Sequence, residues 1–156
     1  RIAMLERESS ALVSHIADET RAANDTLTKN LPSTTEHSPR VLLEVAKIDH
    51  VLFKKRIVDA LLGGVTWKAA QVPDHHACRF GKWFDGAAEC HGIPGFLELE
   101  VPHQAVHAAA RECLRHLEAQ QPDEALLALE QMEKASITML AKLEEVGATL
   151  AARKAG

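Results

Sequence analysis

His103 and His107 stand four residues apart, so on a helix their imidazoles leave one face a single turn from each other and can reach the same metal ion. Alone, such a pair is common. It gains weight from its surroundings: His103, His107, Ala110, Leu114 and Leu117 share one stripe, which turns both rings inward, where neutral imidazoles need partners. His50 interrupts a second apolar stripe made by Ala46, Phe53, Ile57 and Leu61, and by itself reads as a satisfied core histidine. Cys78, in the run Cys78-Arg79-Phe80-Gly81-Lys82-Trp83, reads singly as a small buried hydrophobe. One shared cause is more economical than four coincidences. With nine His and three Cys but only six aromatics and no Tyr in 156 residues, metal is the first chemistry to ask about.

The elements that must position these groups are helical. Sustained period-two alternation and Asn-Gly or Asp-Gly hairpin turns are missing, while apolar residues recur at three and four. The expected fold is all-α: a four-helix bundle with an additional N-terminal helix and a short Cys-bearing helix. Residues 1–31 read as the N-terminal helix, with Ile2, Leu5, Leu12 and Ile16 at heptad positions; it is either the end of a signalling coiled coil or a plain packing helix. Residues 32–39, rich in Pro, Ser and Thr, read as a linker, and 40–156 as the bundle. Within it, a helix over about 40–62 starts at Ser38-Pro39 and stops at Gly63-Gly64; being apolar around most of its circumference, it is expected in the middle of the bundle. A short helix over about 75–84 follows, with Asp74 as its cap, and Gly86, Gly92, Pro94 and Gly95 mark an irregular loop. A fourth helix covers about 102–119. The last begins at Pro122 and carries the stripe Ala125, Leu129, Met132, Ser136, Met139, Leu143, Val146 and Leu150.

Composition removes several function classes. A net charge of −4 does not suit phosphate-backbone binding, so no nucleic-acid partner is expected. No window supplies the roughly 18 apolar residues of a spanning helix, so this segment is expected to make no membrane contact. Three Cys cannot all pair within one chain; reduced thiols and a cytoplasmic location are the expectation. Arg1 in first place suggests an excised piece of a longer protein. Lys54-Lys55-Arg56 reads as a solvated helix face, and Trp67, Trp83 and Phe84 as core anchors.

Taken together, His50-Val51-Leu52, then Cys78-Arg79-Phe80-Gly81-Lys82-Trp83, then His103-Gln104-Ala105-Val106-His107 resemble the signature of the bacterial chemoreceptor zinc-binding (CZB) domain family: His-x-aromatic/Leu, Cys-x-apolar-Gly-x-apolar and HxxxH, in that order. The resemblance spans about residues 40–147. It implies that His50, Cys78, His103 and His107 are zinc ligands. One thiolate and three imidazoles suit Zn²⁺, and four protein ligands leave no position for a catalytic water. Gln104 also stands where the HExxH arrangement would place a general base. No enzymatic activity is expected. The resemblance further implies a homodimer, joined in the full-length chain to a chemoreceptor signalling segment or a diguanylate cyclase domain. Its signal would be zinc occupancy or oxidation of the Cys ligand, for example by hypochlorous acid. No GGDEF-like motif occurs in this chain.

Other assignments compete for the same residues. His76, two before Cys78, rivals one ligand position; Cys90-His91 could form a second or transient metal site; Asp49 and Asp74 could accept the outer N–H of a liganding imidazole. From another class, a hemerythrin-like di-iron oxygen carrier would use His15-x-x-x-Glu19 with the His103/His107 pair, although Lys54 and Arg111 stand four residues after His50 and His107. A dimerisation bundle with scattered His would hold no metal at all.

Overall fold

The computed structural model describes residues 38–154, together with 18, 19, 21 and 22. The chain divides into two units, 1–37 and 38–156. In the first, Asp18, Glu19, Arg21 and Ala22 are helical, and Arg21 reaches Asp18 at 3.3 Å. The heptad from Ile2 to Ile16 and the linker over 32–37 lie outside the described residues.

The second unit is all-α, and no strand occurs among its described residues. Its helices are α1 (Pro39–Leu61), α2 (Arg79–Gly86), α3 (Glu100–Glu118) and α4 (Pro122–Lys154), with 3₁₀ turns at Ala69–Gln71, Ala88–Cys90 and Leu97–Leu99. Proline opens α1 and α4, where a missing N–H costs nothing. After α1 the chain turns at Gly63, whose φ of +75° suits a residue without Cβ. The turn between α3 and α4 is a Schellman motif: the Gln121 N–H donates to the His116 carbonyl at 2.9 Å and the Gln120 N–H to that of Leu117 at 3.1 Å. Its left-handed position, φ +59°, is filled by Gln120.

Burial separates into two apolar clusters. One joins Leu43 and Ala46 of α1, Phe80 and Phe84 of α2, Phe96 and Leu99, and Met139, Leu143 and Val146 of α4. The other joins Ile57 and Ala60 of α1, Trp67 and Val72, Val106, Ala110 and Leu114 of α3, and Ala125 and Met132 of α4. Between them, at the same level on each long helix, stand His50, His103 with His107, and Ser136. The stripe expected on α4 is the observed one. Lys47 with Glu144, and Lys54 with Glu133 at 2.7 Å, fasten the antiparallel α1 and α4 along the rim. Lys55 pairs with Asp59, and Arg56 lies 4.2 Å over the Trp67 ring, so the basic run is a solvated helix face.

Two expectations need correction. α1 is not enclosed: Val41, Ile48 and Val51 are 44, 42 and 54% exposed, because among the described residues partners cover one face only. The short helix begins at Arg79, not near His75, and its N-cap is Cys78 rather than Asp74. Cys78 has extended backbone (φ −72°, ψ 164°), which no helix can pass through, and its Sγ accepts the Gly81 N–H at 3.3 Å. Asp74 instead closes a tight turn by accepting the His76 N–H at 2.9 Å.

Gln120 in the left-handed region carries a Cβ penalty that glycine lacks. Gln120→Gly is therefore expected to stabilise the chain by about 0.5–1 kcal/mol, once the larger entropy of unfolded glycine is deducted. Urea unfolding at pH 7 measures this, and a destabilised variant would contradict the assignment of the turn.

Candidate metal centre

The site is built on one turn of α3 and one loop crossing. Burial of Leu114, Ala110 and Val106 fixes the rotation of α3, so His103 and His107 point into the bundle, 3 and 6% exposed. Their ring centroids lie 4.8 Å apart. His107 is oriented from behind, its Nδ1 donating to the Pro73 carbonyl at 3.0 Å, which leaves Nε2 free to act as a ligand. Phe80 meets the His103 ring edge-on at 4.9 Å, and Phe53 lies 4.8 Å from that of His107.

Cys78 is delivered by the loop before α2. Its Sγ lies 3.3 Å from His103 Nε2 and donates to the His75 carbonyl at 3.2 Å. Gly81 makes the crossing possible. A methyl group on its Cα would come within 1.8 Å of the His75 carbonyl oxygen, so only a residue without a side chain lets the His75–His76 backbone pass over the first turn of α2. Arg79 then forks onto Asp49 of α1, with Nε 2.7 Å from Oδ2, and binds the Cys78 turn to the helix that carries His50.

One donor atom each from Cys78, His103 and His107 thus lies within 4.8 Å of the others. A sulfur and two nitrogens on rigid supports fit a borderline-soft ion such as Zn²⁺. His50 does not join this group. It is buried at the same level, 8% exposed, with Nε2 3.0 Å from Ser136 Oγ. His76 is also outside it, exposed and paired with Asp85 at 3.0 Å. Cys90 is buried in the first apolar cluster while His91 is exposed, and Cys113 is buried in the second. Asp49 holds Arg79, and Asp74 faces the His76 N–H and, at 3.5 Å, His75.

His75 was not singled out by sequence. It is 7% exposed, 2.9 Å from Glu100 Oε1, and its ring lies 4.0 Å from that of His76 and 5.7 Å from that of His103. Glu100 precedes His103 by three residues and shares its helix face, which is the signal that could have linked it to the site.

The rings are held neutral. Burial, reinforced by the other charges around each, lowers His50 to about 4 and His103 to about 3, and burial also lowers His107. Burial pushes the Cys78 thiol above its usual range, against the opposing pull of the Gly81 and Phe80 N–H groups. Without a dication the site is therefore uncharged near pH 7, and binding one must displace the thiol proton.

Two outcomes follow from this geometry. Gly81→Ala should fold but displace the His75–Cys78 crossing and weaken zinc binding by at least tenfold, read by competition with a chelating dye; unchanged affinity would contradict the role given to the glycine. In protein stripped of metal, the unfolded chain takes up protons that His50 and His103 refuse once pH falls below the free imidazole value of 6.5. Stability should therefore hold above about pH 7 and decline between about pH 6.5 and 4, by up to about 1.4 kcal/mol per pH unit for each ring. Urea melts across that range measure it.

Among the described residues, no helix is long and apolar enough to cross a membrane. No curated protein and no solved structure matches the chain. Residues 50–114 match the family model of the chemoreceptor zinc-binding domain (CZB). The matched stretch opens on His50 and encloses Cys78, His103 and His107, the residues that carried the resemblance in sequence. Over residues 50–114 the chain is therefore similar to the chemoreceptor zinc-binding domain family.

Proposed function

We propose that the chain is a zinc-responsive regulatory module, without catalytic activity, in which His50, Cys78, His103 and His107 hold one zinc ion. The observation that carries this reading is the convergence of Cys78, His103 and His107 donor atoms within 4.8 Å, inside a stretch that matches a zinc-binding family. His50 completes the set: it lies on the facing helix at the same buried level, and its charge and that of His107 disfavour each other. Four protein donors close a tetrahedral shell and leave no place for a reacting water.

The ligands come from α1, the Cys78 turn and α3, so zinc binding is also ordering of these three segments against each other. When bound, zinc supplies a positive charge that keeps the Cys78 sulfur deprotonated. The chain's own groups do the opposite, since burial favours the thiol. Cys78 is consequently a poor target for oxidants as a thiol and a good one as a thiolate, which supports oxidation of Cys78 as a second input beside zinc occupancy. The output runs to a chemoreceptor signalling segment or a diguanylate cyclase domain in the same full-length protein, through a homodimer in the cytoplasm. Val41, Ile48 and Val51, exposed at heptad spacing on α1, support the dimer.

Elemental analysis of protein purified without added metal should give one zinc per chain, and Cys78→Ser should lose at least tenfold in affinity. Two irons per chain with visible absorption would establish the hemerythrin-like alternative instead. Cys78 should react with hypochlorous acid faster in zinc-loaded than in chelator-treated protein, as followed by mass spectrometry; equal rates would remove oxidation as an input.

A further inference from the structure

The zinc reading leaves the Ser136 hydroxyl unused. Ser136 is fully buried on α4, outside the family-matched stretch, with its Oγ 3.0 Å from His50 Nε2. Other hydroxyls on α4 turn back onto their own helix: Thr138 donates to the Lys134 carbonyl at 3.2 Å and Thr149 to that of Glu145 at 3.0 Å. Ser136 is turned to His50 instead. A hydroxyl carries one proton, and the His50 ring nitrogen at 3.0 Å is one acceptor within its reach. In the tautomer with its proton on Nδ1, His50 accepts the Ser136 hydroxyl proton through the Nε2 lone pair, and the proposal takes this tautomer for the metal-free chain.

We propose that Ser136 is a positioning residue that competes with the metal for His50, so that capture of His50 by zinc is coupled to release of a hydroxyl on α4. The proposal rests on the reading of His50 as a ligand. A metal ion takes the lone pair of one ring nitrogen. Through Nε2 it displaces the Ser136 hydroxyl outright. Through Nδ1 it requires the ring proton to move to Nε2, which then donates to Ser136 Oγ, and the hydroxyl proton again loses its acceptor. Either way the hydroxyl must turn to another oxygen, and the carbonyl of Met132, one turn back, is the one a helical serine reaches. Zinc occupancy is thereby converted into a choice of hydrogen bond in a helix of 33 residues, four residues from Met132 in one apolar cluster and three from Met139 in the other. A serine that merely steadied a ligand would have the opposite effect on affinity, since removing such support weakens metal binding.

The test measures zinc affinity of wild type, Ser136→Ala, His50→Ala and the double variant by competition with a chelating dye. Ser136→Ala is expected to bind zinc roughly two- to tenfold tighter, the worth of one hydrogen bond, and to change nothing once His50 is alanine. Unchanged or weaker binding by Ser136→Ala, while wild type binds normally, overturns the proposal and leaves the zinc reading intact. A wild type that takes up no zinc overturns both. Independently of any metal, nitrogen-15 shifts of His50 in stripped wild type should show the proton on Nδ1, with that preference lost in Ser136→Ala; a proton on Nε2 in wild type also overturns the proposal.

Discussion

Among the described residues, five polar side chains, His50, His75, His103, His107 and Ser136, are buried, and the structure is organised around keeping each of them partnered. An unmatched buried polar group costs about 1–3 kcal/mol, so several together would consume much of the 5–15 kcal/mol by which a domain is stable. The solutions are specific: Ser136 for His50, Glu100 for His75, Cys78 for His103 and the Pro73 carbonyl for His107. Three of these partners lie at or beside the loop that crosses before α2 or on the first turn of α3. The irregular path from Val72 to Cys78 therefore follows from what the histidines require.

The crossing also explains why a residue with no side chain and one with a bidentate side chain flank the same turn. Gly81 admits the backbone, and Arg79 ties the turn to α1 through Asp49. Both set where the sulfur lies. Because the thiol is protonated and the imidazoles neutral, the arrangement can exist before any dication arrives without burying a net charge.

What could be read from the sequence was what depends on periodicity. The α4 stripe from Ala125 to Val146, the shared face of His103 and His107, and the buried position of His50 all follow from 3.6-residue spacing. The cap of α2 did not, because Asp74 is the stronger local cap and Cys78 wins only through a loop that folds back on Gly81, a contact made in three dimensions. His75 was missed for a related reason: loop residues have no period, so nothing local distinguishes it from exposed His76. Ser136 lay on the stripe in plain view, but its partner is 86 residues away. The outer face of α1 was read as buried because apolar content reports the need for a partner and not the presence of one.

The two apolar clusters on either side of the polar level have a consequence for the evolution and redesign of this chain. A pair of uniformly apolar helices can slide by one turn, about 5.4 Å, and pack nearly as well. Here a slide of α4 by one turn would set Met132 or Leu140 against His50 and carry Ser136 into hydrocarbon, so one axial register is strongly preferred over its neighbours. With alignment specified at that single level, the clusters above and below it are free to exchange Leu, Met, Val and Phe among themselves, and the chain can drift far in sequence while its helices keep the same alignment.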